Sequence, residues 1–185
     1  MKNVKLTFVL MAGLPGTGKS TLALALYKEL GWTVIDKDAY KAAFLNDESA
    51  SMDDKSASLM AYEKSFRVAE DELIKQKSVI LDSAALRPVT IQNAENTAAD
   101  VEAEIKEKVQ IKVILCYVSR ELRKKREQEK KSRIRLSPTS NTTTDPFTMD
   151  EYLRDFEHLP SDRLVLDTEN SLVECLLQAR KYLTG

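Results

Sequence analysis

Glycine is scarce in this chain. It occurs 5 times among 185 residues, whereas an average usage of about 7% would give about 13. Three of these glycines, Gly13, Gly16 and Gly18, nevertheless fall close together. Because glycine tolerates positive φ and lets a backbone approach a ligand closely, this concentration indicates a functional loop.

Cysteine and histidine are also rare. Cys116 and Cys175 are the two cysteines, and His158 is the single histidine. Two cysteines cannot build a disulfide framework, and no Cys/His spacing suggests zinc. We therefore expect two buried thiols and a structural histidine, as in a cytoplasmic protein.

Long apolar runs and an excess of one charge are absent as well. No run approaches the ~18 residues of a membrane-spanning helix, and the apolar stretch after Lys5 indicates a first strand, not a signal peptide. The 28 Lys and Arg residues balance 29 Asp and Glu residues, for a net charge of −1. The missing run argues against a membrane-spanning protein, and the charge balance argues against a general binder of membrane surfaces or nucleic acid. The length favours a single globular domain over residues 1–185.

Strand and helix patterns alternate along the chain. Apolar runs predict strands at 6–11, 32–35, 78–81, 111–118 and 163–166. Helices are predicted at 20–30, 39–45, 56–76, 88–99, 119–133, 148–158 and from 171 onward. The stretch 102–108 fits either a helix end or a strand extension. The alternation predicts an α/β fold, with helices on both faces of one parallel sheet.

Residues 13–20 match the phosphate-binding pattern G-x-x-x-x-G-K-[ST], between a predicted strand and a predicted helix. Backbone N–H groups of such a loop, together with the N-terminus of the following helix, bind phosphate. Lys19 is expected to reach the β- and γ-phosphates, and Ser20 to bind Mg²⁺. The predicted nucleotide-binding residues are Gly13, Leu14, Pro15, Gly16, Thr17, Gly18, Lys19, Ser20 and Thr21.

Carboxylates follow two of the predicted strands. Asp36 and Asp38 come after the second strand, and Asp82 ends the third. Because parallel strands share one carboxyl edge, these side chains should lie beside the phosphate loop. Asp82 is placed to hold Mg²⁺ or its water, and Asp38 is the candidate to accept a proton from an attacking hydroxyl. The alternative for each aspartate is to cap the helix that follows.

A basic segment follows the fourth strand. Residues 120–135 hold nine basic and three acidic side chains, and Arg123, Arg126, Lys130 and Arg133 recur on one helical face. A low-complexity stretch at 137–148 comes next. This pattern predicts a mobile lid over about 120–148, whose arginines stabilise charge that develops in a transition state. The alternative is a solvated charged helix.

Together these segments resemble the small P-loop kinases grouped with phage polynucleotide kinase, zeta toxins and chloramphenicol phosphotransferase. The matching segments are GLPGTGKST at 13–21, IDKDAYK at 35–41, SVILDSA at 78–84, the basic helix at 120–133 and VLDT at 165–168. The resemblance implies a three-layer P-loop NTPase fold, whose five-stranded parallel sheet has the order 2-3-1-4-5. It also implies ATP and Mg²⁺ as the cofactors.

The resemblance assigns roles to individual residues. It makes Asp38 the general base, with Lys19 and the lid residue Arg126 as further catalytic residues. Lys41 contacts the acceptor, and Asp82 orients the acceptor or the metal. Which of the basic residues Arg123, Arg126, Lys130 and Arg133 act on the phosphates stays open.

The leading hypothesis is an ATP-dependent phosphotransferase with an alcohol acceptor. The acceptor is a nucleic-acid 5′-hydroxyl, a nucleoside, a sugar, a sugar acid or an antibiotic, and the near-neutral charge favours a small molecule. A nucleotide-dependent switch is the main alternative, although the chain lacks a switch-like Asp-x-x-Gly and the guanine signature Asn-Lys-x-Asp. A zeta-like toxin is a third reading and requires an antitoxin.

Overall fold

The computed structural model describes residues 5–47, 52–84, 87–133 and 149–185. Its strands are β1 (Thr7–Ala12), β2 (Thr33–Asp36), β3 (Val79–Asp82), β4 (Gln110–Tyr117) and β5 (Leu164–Asp167). Its helices are α1 (Lys19–Leu30), α2 (Lys37–Leu45), α3 (Asp54–Ile74), α4 (Pro88–Ile105), α5 (Arg120–Arg133), α6 (Met149–Asp155) and α7 (Leu172–Thr184).

The strands form one sheet of order β2-β3-β1-β4-β5, in which every neighbouring pair is parallel. This confirms the predicted P-loop NTPase topology. Strand β1 lies at the centre, and the chain crosses to its other side between β3 and β4. In open sheets of this kind ligands bind beyond the carboxyl ends of the strands, next to the point where the order reverses.

Helices cover both faces of the sheet, as predicted. Every residue of β1 is buried, and its side chains alternate between the two cores. Phe8 and Leu10 pack with residues of α3, α4 and the segment around α6. Val9 and Met11 pack with residues of α1 and α7 instead. A continuous apolar run is therefore the expected sequence of a central strand that is buried on both sides.

Several helix boundaries differ from the predicted ones because of local caps. Helix α2 begins at Lys37, since the Asp36 carboxylate accepts hydrogen bonds from the backbone N–H groups of Asp38 (2.9 Å) and Ala39 (3.0 Å). Helix α3 begins at Asp54, one residue after its Asp53 cap. Helix α4 continues past the predicted end near residue 99 and stops at Ile105, which makes the start of the ambiguous stretch a helix end.

The carboxyl-terminal part of the chain follows its capping signals. Ser171 and Glu174 form the predicted reciprocal capping box at the start of α7. Helix α6 begins at Met149 and ends at Asp155, short of the predicted His158. The Thr148 cap and the low-complexity stretch 137–148 lie outside the described residues. None of the helices in the described part of the chain is long and apolar enough to cross a membrane, and both cysteines are buried.

Candidate active site

The phosphate loop connects β1 to α1 at the carboxyl edge of the sheet. Gly13, Gly16 and Gly18 all have positive φ values, of 133°, 80° and 85°. A Cβ at Gly13 would lie 2.6 Å from the Cys116 carbonyl oxygen, and one at Gly16 would lie 2.9 Å from the Arg123 carbonyl oxygen. Backbone conformation and space therefore both exclude other residues at Gly13 and Gly16, and the backbone conformation alone disfavours them at Gly18.

The predicted nucleotide-binding residues form one connected loop. The Leu14 carbonyl oxygen accepts hydrogen bonds from Thr17 Oγ1 at 2.8 Å and from Lys19 Nζ at 2.9 Å. Gly18 precedes the first turn of α1 and provides no side-chain cap. The N-terminus of a 12-residue helix thus opens towards the loop, which is the arrangement that attracts phosphate.

Asp82 lies at the end of β3, in register with Asp36 at the end of β2. Its side chain is mostly buried, with the residue 7% exposed. Burial raises the pKa of Asp82, while a hydrogen bond with the Ser20 side chain and the charge of Lys19 oppose the rise. The two predicted metal ligands, Ser20 and Asp82, therefore lie in direct contact beside the loop.

Asp36 and Asp38 have different surroundings at the start of α2. Asp36 caps α2, whereas the Asp38 side chain is 81% exposed in the first turn of that helix. Lys37 Nζ lies 2.8 Å from Asp38 Oδ1 and 5.1 Å from the centre of the Tyr62 ring. The proposed proton acceptor is thus accessible from solvent and is paired with a lysine that is itself largely covered.

Lys41 lies one turn further along α2 than Asp38. Its ammonium is 2.7 Å from the Asp54 carboxylate at the start of α3. This ion pair links the two helices that flank the acidic ends of β2 and β3. The structure therefore gives Lys41 a protein partner that the sequence analysis did not predict.

The lid residues whose side chains are described lie against the loop. Arg123 is 9% exposed, packs over Gly16 and pairs with Glu127 at 2.8 Å. Arg126 donates from Nη1 to Thr168 Oγ1 at 3.0 Å and from Nη2 to the Thr168 carbonyl oxygen at 2.8 Å. Lys130 and Arg133 belong to α5, but their side chains lie outside the described part.

Thr168 connects this helix to the phosphate loop. Its hydroxyl also lies 2.9 Å from the carbonyl oxygen of Thr17 and 3.1 Å from that of Tyr117. Thr168 belongs to the segment 165–168 that resembles the small P-loop kinases, but the sequence indicates no role for its side chain. Its position directly after β5, at the same edge as the phosphate loop, is the feature that would have indicated such a role.

Two cavities differ in position. One of about 290 Å³ lies beside the loop and is lined by Gly18, Thr21, Leu22, Arg126, Thr168, Asn170, Leu172 and Cys175. One of about 340 Å³ lies at the amino ends of the strands, between Leu6, Trp32 and Glu107, and includes none of the predicted site residues. The first cavity adjoins the phosphate loop and the first turn of α1.

Comparison with known proteins agrees with this geometry. Residues 8–158 match the family model described as an AAA domain. The chain belongs to this family. The match of the AAA domain includes the phosphate loop, the three aspartates and helix α5. None of the curated proteins compared with the chain matches it significantly.

Several solved structures resemble this chain over nearly its whole length, at low sequence identity. An inferred kinase from Chloroflexus aurantiacus has 18% identity and a TM-score of 0.70, covering 98% of this chain and 97% of its own. APS kinase CysC from Mycobacterium tuberculosis, in complex with AMPPNP and APS, has 16% identity and a TM-score of 0.64, with 98% and 99% covered. Kti12 from Chaetomium thermophilum, in complex with ADP-AlF3, has 13% identity and a TM-score of 0.60, with 96% and 100% covered.

These comparisons establish the fold and its general class. The chain has a P-loop NTPase fold whose structural neighbours include kinases and nucleotide-bound proteins. The narrower resemblance to phage polynucleotide kinase, zeta toxins and chloramphenicol phosphotransferase stays a prediction. The roles of individual site residues are likewise proposals.

Proposed function

We propose that this protein is a kinase that transfers the γ-phosphate of Mg·ATP to an alcohol group of a small molecule. One observation carries the proposal: the phosphate loop lies between a group of aspartates on one side and Arg126 with Thr168 on the other. Phosphoryl transfer requires a phosphate cradle, a proton acceptor and positive charge at one place. These parts meet at the carboxyl edge of this sheet.

The nucleotide occupies the basic side of the loop in this proposal. Its base and ribose enter the cavity of about 290 Å³ beside Arg126 and Thr168. Residues 13–21 bind the phosphates through backbone N–H groups, and Lys19 moves its ammonium from the Leu14 carbonyl to the β- and γ-phosphates. Arg123 and Arg126 add positive charge close to the loop.

The residues at the end of β3 suit Mg²⁺. The Ser20 hydroxyl and the Asp82 carboxylate are oxygen donors in contact with each other, and oxygen is the donor that this ion prefers. With these two donors, the ion would be held by one or two protein oxygens, water and substrate phosphates. When bound, it neutralises charge on the phosphates.

Asp38 acts as the general base. It accepts the proton of the acceptor hydroxyl while the hydroxyl oxygen forms a bond to the γ-phosphorus, and the bond from that phosphorus to the bridging oxygen breaks to release ADP. The exposure of Asp38 supports this role because a substrate can reach it. Lys41, one turn away, is the proposed acceptor-binding residue.

A small molecule is the favoured acceptor. The net charge of −1 gives no general attraction for nucleic acid, and the structure of the neighbouring APS kinase contains APS. The acceptor classes to test are nucleosides, sugars, sugar acids and aminoalcohols. A 5′-hydroxyl oligonucleotide remains in the test as the less favoured alternative.

The experiment is transfer of labelled γ-phosphate from Mg·ATP to a panel of these acceptors. The matched control is Lys19→Met, which removes the ammonium but keeps the length of the side chain. Label on an acceptor with the wild type, reduced at least about 100-fold in the control, supports the kinase. Equal label with both proteins would attribute the transfer to a contaminant.

A nucleotide-dependent switch is the second candidate. It is favoured by the likeness to Kti12, whose structure is a complex with ADP-AlF3. A switch should bind ATP and release inorganic phosphate without labelling any acceptor. The same assay separates the two functions when free phosphate and labelled acceptors are resolved from each other.

A further inference from the structure

Tyr152 on helix α6 places its hydroxyl group against the phosphate loop. No sequence motif indicates this contact. Tyr152 is 2% exposed. Its hydroxyl donates a hydrogen bond to the Cys116 carbonyl oxygen at 2.6 Å and accepts one from the Leu14 backbone N–H at 3.2 Å. The tyrosine therefore joins the end of β4 to the beginning of the phosphate loop.

Leu14 is the residue on which the loop's internal contacts converge. Its carbonyl oxygen accepts the hydrogen bonds of Thr17 Oγ1 and Lys19 Nζ, while its N–H is held by Tyr152. A Cβ on Gly13 would lie 2.9 Å from the Tyr152 hydroxyl, so the glycine is what lets the loop approach this hydroxyl so closely. Burial raises the pKa of Tyr152, which keeps the phenol protonated as a donor.

We infer that Tyr152 is a positioning residue for the nucleotide phosphates, acting through the Leu14 backbone on the loop and on Lys19. The inference rests on the proposed function in one respect, namely that the loop binds a nucleoside triphosphate. It goes beyond it by assigning part of the phosphate affinity to a helix far along the chain. Removal of the hydroxyl leaves two buried backbone groups, one N–H and one C=O, without this partner.

The ring of Tyr152 also has a packing role, which must be separated from that of the hydroxyl. Its centre lies 5.2 Å from the ring centre of Tyr117 and 5.0 Å from that of Phe156. Tyr152→Phe keeps these contacts and removes the oxygen alone. The matched control is Tyr182→Phe, because the Tyr182 hydroxyl is likewise hydrogen-bonded to β4: it accepts from the Val113 N–H at 3.4 Å.

The test measures binding of ATP and of inorganic tripolyphosphate to the wild type and both variants by calorimetry, together with the ³¹P shifts of bound ATP. Tyr152→Phe should weaken both ligands about 10-fold, the effect of about 1.4 kcal/mol. It should also change the ³¹P shifts of the β- and γ-phosphates. Tyr182→Phe should change neither property, although both variants are expected to melt earlier.

Unchanged affinity and unchanged ³¹P shifts in Tyr152→Phe, with only a lower melting temperature, would overturn the inference. Hydrogen exchange of the Leu14 amide in the wild type gives a check that needs no variant, since this N–H should be protected before nucleotide is added. A freely exchanging amide would also overturn it. Failure to label any acceptor, with these binding results intact, would instead count against the proposed kinase alone.

Discussion

The two sides of the phosphate loop are built differently. The acidic side consists of Asp36, Asp38 and Asp82 at the ends of β2 and β3. The basic side consists of Arg123 and Arg126 on α5, with Thr168 after β5 as the hydrogen-bond partner of Arg126. Both sides lie at the same sheet edge, but on the acidic side the carboxylate of Asp38 is largely exposed to solvent.

On the basic side the cationic groups are held by the fold itself. Arg126 makes two hydrogen bonds to Thr168, and Arg123 is almost completely covered and paired with Glu127. On the acidic side, the Asp38 carboxylate is 81% exposed. A site that is already fixed loses little entropy when a ligand binds. The proposed nucleotide half is therefore preorganised, whereas the proposed acceptor half is open to solvent.

The largest effect should come from Asp38→Asn, which tests the acidic side. We expect transfer to fall about 1,000-fold because the amide cannot accept the acceptor's proton. ATP affinity should stay within about two-fold, since the change lies outside the nucleotide half. Labelled transfer and calorimetry on the same protein measure both quantities.

The control for Asp38 is Asp71→Asn, an exposed carboxylate on α3. It should leave transfer unchanged. Retention of wild-type transfer by Asp38→Asn would show that the base is another group and would remove the chemical asymmetry between the two sides.

The next effect concerns the basic side. Arg126→Met should weaken ATP about 10-fold, because it removes a guanidinium that lines the cavity and holds Thr168. Lys125→Met on the same helix is exposed and should have little effect. Equal losses of ATP affinity in the two variants would mean that α5 acts only through its overall positive charge. Measuring how the ATP affinity depends on salt concentration would identify that case.

A third test compares two neighbouring aspartates of the acidic side. Asp82→Asn should raise the free energy of unfolding at neutral pH by on the order of 1 kcal/mol, since burial makes the ionised carboxylate costly. Asp36→Ala should lower it by about 1 kcal/mol because the α2 cap is lost. Thermal unfolding of both variants measures these opposite signs.

The pH dependence follows from the raised pKa of Asp82. In the folded protein this carboxyl keeps its proton to higher pH than in the unfolded chain, so the wild type loses stability as pH rises through the raised pKa. The advantage of Asp82→Asn should therefore appear above that pKa and vanish at lower pH. Added Mg²⁺ should stabilise the wild type more than the variant. A variant that melts below the wild type at neutral pH would contradict this account.

The sequence predicts the features that depend on local patterns along the chain. The strands and the phosphate loop follow from local signals, namely apolar runs and the glycines at 13–18, whereas the sheet order is implied by the resemblance to the small P-loop kinases. The structure confirms that order. From the sequence, Asp36 could serve either as a carboxylate of the site or as the cap of the following helix. The structure shows that it ends β2 and that its carboxylate caps α2.

Contacts between distant segments could not be predicted in this way. Tyr152 lies 138 residues from Leu14 along the chain, and no periodicity links the two positions. The pairing of Lys41 with Asp54 likewise depends on how α2 packs against α3. Sequence patterns report which face of an element is buried, but a specific hydrogen bond requires the packing of two elements to be known.

The smallest effect is expected at Lys41. A variant there tests the difference between the open acidic side and the preorganised basic side of the phosphate loop. Lys41→Met removes an ion pair with Asp54, whose side chain is 65% exposed. Such pairs contribute about 0 to 1 kcal/mol, so the melting temperature should change little. If Lys41 contacts the acceptor, the variant should raise the KM for that acceptor several-fold, with the KM for ATP unchanged.

Asp54→Asn breaks the same ion pair but leaves the ammonium in place. It should therefore keep the acceptor KM near that of the wild type. Parallel increases in both variants would identify the ion pair, and not the ammonium, as what the acceptor site requires.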